Sequence, residues 1–136
     1  MIGGQDDLII YRMNRARESL EEARVMARIG HWNTCVNRLY YACFYAVSAL
    51  LAREGLSASQ HSGVRGLFNR HFVKTGVIST EFAAFYNDLF ENRQECDYED
   101  FVSMEEATVL PWIEQAEGFL FRIREILGIN AENHQP

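Results

Sequence analysis

Apolar residues recur at alternating steps of four and three along the first thirty positions. This spacing places them on one narrow face of a helix, as in a bundle or a coiled coil. The helix is predicted over about residues 6–29, and Gly30 suits the position just after its last turn. The apolar positions are Ile9, Met13, Ala16, Leu20, Ala23 and Ala27.

The end of the chain repeats this pattern. Ser103 and Glu106 have the spacing of a capping box, which predicts the start of a last helix. Pro111 predicts a kink, or a restart of the helix with the proline in its first turn. The matched patterns predict that the first and last helices pack side by side. The apolar positions here are Val109, Ile113, Ala116, Leu120, Ile123 and Leu127.

A helix predicted over about residues 32–53 is apolar on two sides. Its second stripe consists of Arg38, Tyr41, Tyr45 and Ser48. A helix of this kind is central in its bundle, or a second subunit covers one of its sides. We therefore expect a symmetric homodimer with the second stripe near its interface. The first stripe holds Val36, Leu39, Tyr40, Cys43, Val47, Leu50 and Leu51.

Two shorter helices are predicted between these segments. One covers about residues 60–73, and the other is capped by Ser79 or Thr80 and ends near Cys96. Sustained alternation of period two is absent from the sequence, so no sheet is predicted. The expected fold class is all-α, an up-and-down bundle of four to five helices. One domain is expected over residues 1–129, followed by a loose tail at residues 130–136.

Charge is divided unevenly along the chain, whose formal net charge is −6. Residues 1–75 carry ten basic and six acidic side chains, a net +4, whereas residues 76–136 carry three and thirteen, a net −10. A basic face for nucleic acid is one interpretation. Pairing of the two halves on folding fits the acidic total better, because nucleic-acid binding depends on neutralising phosphates.

Several classes of function lack their sequence signals. The sequence holds no long apolar span and has acids near its start, so we expect a cytoplasmic protein without a membrane segment. It has no phosphate-binding glycine loop and no metal-ligand spacing, so neither a cofactor nor a metal is predicted. His61 and His71, near the two ends of the third helix, are predicted to have structural roles.

Arg93 stands alone among acids, within the stretch ENRQECDYED that begins at Glu91. It could be a catalytic arginine, a salt bridge that locks the fold, or part of a docking site. Asp97 follows one helical turn later and is the expected ion-pair partner. The acids around Arg93 are Asp88, Glu91, Glu95, Asp97, Glu99 and Asp100.

Arg38 is the second unusual residue, because it shares a stripe with Tyr41 and a buried charge needs a partner. The acidic turn is the expected supplier of that partner. Our hypothesis is one polar network of Arg38, Arg93 and Asp97, with Tyr41 and Tyr98 over it. The structural alternative is that these contacts only pin the turn between the last two helices to the second helix.

Three stretches in this order carry a family resemblance. They are NRLYYACFYAVSALLAREGL from Asn37, QHSGVRGLFNRHFVKTGVIS from Gln60, and the acidic stretch from Glu91. Together they resemble the HEPN family (higher eukaryotes and prokaryotes nucleotide-binding domain), over roughly residues 7–127. The resemblance is to small stand-alone bacterial and archaeal members, and it implies a helical bundle that pairs as a dimer.

The resemblance also implies a chemistry. Many HEPN proteins are metal-independent ribonucleases with an R-x4–6-H motif at a cleft between two subunits. Arg93 matches the arginine of this motif, but Tyr98, Glu99 and Asp100 occupy the three positions where the histidine would stand. Histidine has an ordinary pKa of about 6.5, whereas tyrosine, near 10, would need a large shift to exchange protons at neutral pH.

Three functions remain open at this stage. The favoured one is a binding or regulatory module, the HEPN half of a two-gene, toxin–antitoxin-like system with a minimal nucleotidyltransferase, because the motif histidine is absent. The alternatives are an endoribonuclease that uses Arg93 with Asp97 or Tyr98, and a non-catalytic dimeric scaffold. Arg38 and Tyr41 are the predicted binding residues, for a protein partner, RNA or a nucleotide.

Overall fold

The computed structural model describes residues 4–98 and 102–129, apart from the side chain of Tyr98. Five helices account for most of it: α1 Gly4–Arg28, α2 Trp32–Arg53, α3 His61–Phe68, α4 Thr80–Tyr98 and α5 Glu106–Leu127. A π-helical turn, Asn69–Val73, extends α3. The described residues contain no strand. The prediction of an all-α bundle is confirmed. The predicted tail at residues 130–136 lies outside the described residues.

The α2 helix is the centre of the bundle. It packs against α1 and α5, and also against α3 and α4. Its first stripe is buried throughout, while Arg38, Tyr41 and Tyr45 of the second stripe are only partly buried. By length and composition α2 could span a membrane, but 72% of its apolar window is buried inside the bundle. That burial is what a core helix requires.

Helices α1 and α5 contact each other as well as α2, as their matched apolar patterns predict. All six predicted apolar positions of α1 are buried except Ala27, which is partly buried. On the other side of α2, stacked and edge-on aromatic rings fill the core between α3, α4 and α5. The fully buried ones are Tyr40, Phe68, Tyr86 and Phe119.

The predicted capping box at the start of α5 is wrong. The helix begins at Glu106, after Glu105 in an extended conformation, and Ser103 lies outside it. The cause is a pair of hydrogen bonds to the first turn of α2. The side chain of Asn33 donates to the carbonyl of Val102 at 2.9 Å and accepts the backbone N–H of Met104 at 2.8 Å. These contacts hold residues 102–104 outside the helix.

Pro111 lies in the second turn of α5, and the helix continues through it. The alternative of a helix that restarts with the proline in its first turn is therefore wrong. The cap predicted for α4 is confirmed, since the hydroxyl of Ser79 accepts the backbone N–H of Phe82 at 3.1 Å. A side-chain acceptor at this place satisfies one of the donors left free at a helix start.

The basic and acidic halves of the chain form fewer ion pairs with each other than expected. Among the described residues, one side-chain ion pair, Arg24–Glu117, joins residues 1–75 to residues 76–129. The other ion pairs lie within one half, and most of them join residues one helical turn apart. Nearby partners on the same helix satisfy the arginines first, because residues three or four positions apart already face each other.

Candidate functional site

The helical register of α4 turns Arg93 toward the core. Tyr86 and Phe90, seven and three positions earlier, lie on the same face and are buried. Arg93 itself is only 8% exposed, which is unusual for a charged side chain. Its burial must therefore be offset by specific partners.

Two neighbouring tyrosines of α2 supply most of these contacts. Nη2 of the Arg93 guanidinium donates a hydrogen bond to the hydroxyl of Tyr41 at 2.9 Å. The guanidinium carbon lies 5.1 Å from the ring centre of Tyr40 and 5.4 Å from that of Tyr41, within the range of cation–π attraction. Tyr40 is fully buried, so this attraction acts in a largely desolvated setting.

The ion pair expected between Arg93 and Asp97 is present. Their Nε and Oδ2 atoms are 3.1 Å apart. The N–H of Nε does not point at the carboxylate well enough for a hydrogen bond and has no other acceptor among the described residues, so the contact is chiefly one of charge. Burial alone would lower the pKa of Arg93, but the hydrogen bond to Tyr41 and the nearby Asp97 outweigh it and raise the pKa.

Asn37 connects Arg38 to this ion pair. Its amide nitrogen lies 3.4 and 3.3 Å from the two carboxylate oxygens of Asp97. Its carbonyl oxygen accepts hydrogen bonds from Nε and a terminal nitrogen of Arg38, at 3.0 and 2.8 Å. The predicted network of Arg38, Asp97 and Arg93 is therefore continuous, but only through Asn37, which the sequence pattern did not single out.

Among the described residues, the ion-pair partner of Arg38 is Glu22 of α1, at 3.0 Å, and not one of the described carboxylates of the acidic turn. Glu99 and Asp100 of that turn lie outside the described residues. The reason is its position on α2, where it borders α1, while Asn37 beside it faces the end of α4. Arg38 also lies over the ring of Tyr41, with its guanidinium carbon 5.2 Å from the ring centre. Tyr41 therefore lies between two arginines.

Tyr98 is the last residue of α4, and its side chain lies outside the described part of the chain. Glu99 and Asp100, the other two positions at which the motif histidine would stand, lie outside it as well. The roles predicted for Arg93, Asp97 and Tyr98 in catalysis, and for Arg38 and Tyr41 in binding, remain predictions.

A histidine does reach this cluster, from a different helix. His61 is the first residue of α3. Its Nδ1 lies 2.9 Å from the hydroxyl of Tyr40, in a hydrogen bond. Its ring stacks on Phe44 with the ring centres 4.3 Å apart. It also meets the ring of Tyr41 edge to face, at 5.7 Å between centres.

Burial and the charge of Arg93 act together on the pKa of His61. Partial burial lowers the pKa of His61, and the positive charge of Arg93 lowers it further. The imidazole is therefore neutral at neutral pH, which allows it to accept a proton. The sequence analysis gave His61 only a structural role, because His61 and Arg93 are separated by 32 positions and meet only through the tyrosines of α2.

Arg65 is a residue that the sequence analysis missed. It follows His61 by one turn of α3, and its guanidinium carbon lies 3.9 Å from the ring centre of Phe90 on α4. Spacing of four positions on one helix could have linked His61 to Arg65. Gly63, between them, allows the turn to approach the preceding loop, since a Cβ at this position would lie 2.9 Å from that of Ala58.

The cluster is thus a set of basic and aromatic side chains around Tyr40 and Tyr41. The described residues hold no group of three His, Cys, Asp or Glu side chains arranged to bind a metal ion. Cys43 is fully buried, and burial raises its pKa. A thiol in that state is a poor nucleophile.

Comparison with known proteins agrees with this architecture. The model of the HEPN domain matches residues 10–126, and the chain belongs to the HEPN family. A Thermotoga maritima protein named "UPF0332 protein" is 47% identical over 123 residues, which cover 90% of this chain and 93% of that protein.

Two relatives from Methanocaldococcus jannaschii have names that refer to toxicity. The one named "Putative toxin MJ0605" is 32% identical over 113 residues, which cover 82% of this chain and 83% of that protein. The one named "Putative toxin MJ0142" is 32% identical over 87 residues, which cover 64% of this chain and 59% of that protein.

Proposed function

We propose that this chain is the HEPN half of a two-gene, toxin–antitoxin-like pair, and that its partner is a minimal nucleotidyltransferase that binds over the Arg93 cluster. The similarity to relatives with toxin names supports the first part. The resemblance to small HEPN proteins that are encoded beside such nucleotidyltransferases supports the second.

The observation that carries the proposal is the balance of charge around Arg93. The positive charges of Arg38 and Arg93 are each matched by a carboxylate, from Glu22 and Asp97. A surface for a phosphate backbone gains affinity from unmatched positive charge. A surface of alternating charges with half-buried aromatic residues suits a folded protein partner, for which charge pattern fixes the partner and its orientation.

A homodimer belongs to the same proposal. The rings of Tyr41 and Tyr45 on the second stripe of α2 are partly exposed in the single chain. Tyrosine is enriched at interfaces, because it offers a large apolar ring together with a polar end. A second copy of the chain is the occupant that would cover the Tyr45 end of this stripe, while the Arg38 end and the ends of α3 and α4 stay accessible to the nucleotidyltransferase.

Co-purification tests the proposed partner. The tagged chain would be produced together with the nucleotidyltransferase encoded beside its gene, and the affinity of the complex would be measured by titration calorimetry. We expect one stable complex. Glu22→Arg places a positive charge beside Arg38, and should weaken the complex about tenfold or more. Glu114→Arg, the same change at an exposed position of α5, is the matched control and should leave the affinity within about twofold.

The identity of the partner and the position of its interface can each be contradicted separately. A chain that forms no complex with the neighbouring nucleotidyltransferase, or whose gene has no such neighbour, contradicts the proposed partner. Equal weakening by Glu22→Arg and Glu114→Arg contradicts the position of the interface.

Metal-independent cleavage of RNA is the second candidate function, and the position of His61 favours it. Cleavage through the 2′-hydroxyl of RNA needs a group that exchanges protons near neutral pH. The residues that follow Arg93 contain no histidine before His134, but His61 reaches the cluster from α3. The two candidates are compatible, since a nucleotidyltransferase partner could control a ribonuclease.

A further inference from the structure

We propose that His61 is the proton-transferring residue of RNA cleavage at this site, and that it takes the place of the histidine missing from the motif after Arg93. This inference rests on the second candidate function above.

The first support is the shared tyrosine pair. Arg93 and His61 both contact Tyr40 and Tyr41, whose rings meet edge to face with their centres 5.2 Å apart. Arg93 holds Tyr41 by its hydroxyl, and His61 holds Tyr40 by its hydroxyl. A histidine and an arginine from different helices are therefore fixed at one place by side chains that are themselves packed in the core, which is how a reactive geometry is maintained.

The second support is the orientation of the imidazole. Stacking on Phe44 fixes the plane of the ring, and the hydrogen bond to Tyr40 occupies Nδ1. Nε2 makes no hydrogen bond to any residue between 4 and 98 or between 102 and 129. His61 is also partly exposed, unlike Arg93. Nε2 is thus the ring atom that a substrate could reach.

Arg65 and Arg93 have different places in this arrangement. Arg93 is nearly buried and already bonded to Tyr41 and paired with Asp97, so it acts as a positioning residue that holds the tyrosines and helps to lower the pKa of His61. Arg65 makes no ion pair within the described part of the chain and is partly exposed. It is the cation one helical turn from His61 that could hold a phosphate.

The proposed reaction is balanced without a metal or a co-reactant. In the tautomer whose Nδ1–H donates to the hydroxyl of Tyr40, Nε2 of His61 accepts the proton of the ribose 2′-hydroxyl, and O2′ forms a bond to phosphorus. The bond between phosphorus and O5′ breaks, and the proton returns from the imidazolium to O5′. The products are a 2′,3′-cyclic phosphate and a 5′-hydroxyl end. Arg65 would stabilise the charge that develops on the phosphate oxygens.

The test is a cleavage assay with the full chain, an unstructured fluorescent RNA of about twenty nucleotides and EDTA. We expect cleavage of the RNA and none of the DNA of the same sequence, which lacks the 2′-hydroxyl. His61→Gln should lower the rate by about 100-fold or more, the size expected for loss of proton transfer. His71→Gln changes an exposed histidine at the other end of the same segment, and should remain within about twofold of the unchanged chain.

The pH profile separates proton transfer from a merely structural role. The rate of the unchanged chain should rise with pH as His61 loses its proton, and level off above that point. Arg93→Ala removes the charge that helps to keep His61 neutral, so the midpoint of the rise should move to higher pH. Tyr40→Phe keeps His61 but removes the hydrogen bond at Nδ1, and should lower the rate about tenfold in a chain whose core is otherwise unchanged.

Each remaining outcome overturns the inference. Absence of cleavage by the unchanged chain removes the ribonuclease function itself. Cleavage that persists in a folded His61→Gln variant, or that is lost equally in His71→Gln, leaves the ribonuclease function standing and removes His61 from it. Should His61→Gln fail to fold, an unchanged pH midpoint in Arg93→Ala and full activity in Tyr40→Phe would exclude the role. Complex formation with the nucleotidyltransferase is measured separately and depends on none of these results.

Discussion

A terminal nitrogen of Arg93 donates a hydrogen bond to the hydroxyl of Tyr41 across 2.9 Å, which joins α4 to α2 over 52 positions of sequence. The contact explains what a single arginine does in an acidic segment. It ties the end of α4 to the central helix, and it places a positive charge beside two tyrosines and a histidine. The contacts by which Arg93 stabilises the fold are therefore the same contacts that build the candidate site.

Removal of Arg93 should destabilise the fold. Arg93→Ala leaves the hydroxyl of Tyr41 without its donor and Asp97 without its cation, so we expect the free energy of unfolding to fall by about 2–3 kcal/mol. This loss is smaller than for a fully buried ion pair, because the side chain of Asp97 is 30% exposed and water can solvate it. Urea denaturation measures the change.

The matched control is Arg28→Ala, in the exposed last turn of α1. Loss of a cation at a helix end costs below about 1 kcal/mol. A loss for Arg93→Ala no larger than that of the control would mean that the contacts of Arg93 contribute little to the fold.

The pKa of His61 should respond to Arg93. Burial is the larger cause of its lowered value and the charge of Arg93 the next, so Arg93→Ala should raise the pKa toward the ordinary value without fully restoring it. NMR titration of the imidazole Cε1 proton follows this directly. Arg93→Lys, which retains the charge, should leave the pKa lowered. An identical midpoint in the unchanged chain and in Arg93→Ala would mean that the two residues are not coupled.

Stability should fall in mild acid partly because of His61. Its folded-state pKa lies below the unfolded value of about 6.5, so between these two values the unfolded chain binds more protons. The free energy of unfolding therefore decreases as the pH falls from about 6.5 toward the folded-state pKa, and His61 has no such effect above that window. His61→Gln should lose this part of the pH dependence, whereas His71→Gln should keep it. Urea denaturation midpoints of both variants at a series of pH values measure this difference. An equal dependence of the midpoint on pH in His61→Gln and His71→Gln would contradict the contribution of His61.

The chain should form a dimer in solution. Sedimentation at micromolar concentration should give about twice the chain mass of 15.7 kDa. Tyr45→Glu, on the second stripe of α2, should shift the chain toward the monomer by placing a charge in the interface. Phe121→Glu, at an exposed aromatic residue of α5, should not. A stable monomer would exclude the dimer, and dissociation by Phe121→Glu alone would move the interface to α5.

The helices followed from the sequence because their signals are local. The apolar stripes and flanking glycines gave the bounds of α2, Trp32–Arg53, without error, and the apolar pattern of α1 is matched by its buried face. The start of α5 did not follow, because Asn33, some seventy positions away, binds the backbone of the preceding segment and holds it outside the helix. A local pattern carries no information about such a contact.

The site was predictable only in part for the same reason. Arg93 and Asp97 are one helical turn apart, so their ion pair could be read from spacing. The pairing of Arg38 with Glu22 depends on how α1 lies beside α2. His61 joins the cluster only through the crossing of α3 over α2, and no spacing in the sequence indicates that crossing.

Growth of a bacterial host that expresses the chain shows whether the protein is toxic and whether the Arg93 cluster is responsible. We expect the chain alone to slow growth and co-expression of the neighbouring nucleotidyltransferase to relieve the effect. Arg93→Ala should clearly weaken the slowing at equal amounts of folded protein, and Arg28→Ala should not. A chain that leaves growth unaffected, or an Arg93→Ala variant that slows growth as strongly as the unchanged chain, would contradict the account of this protein as the toxin-like half of a pair acting through the Arg93 cluster.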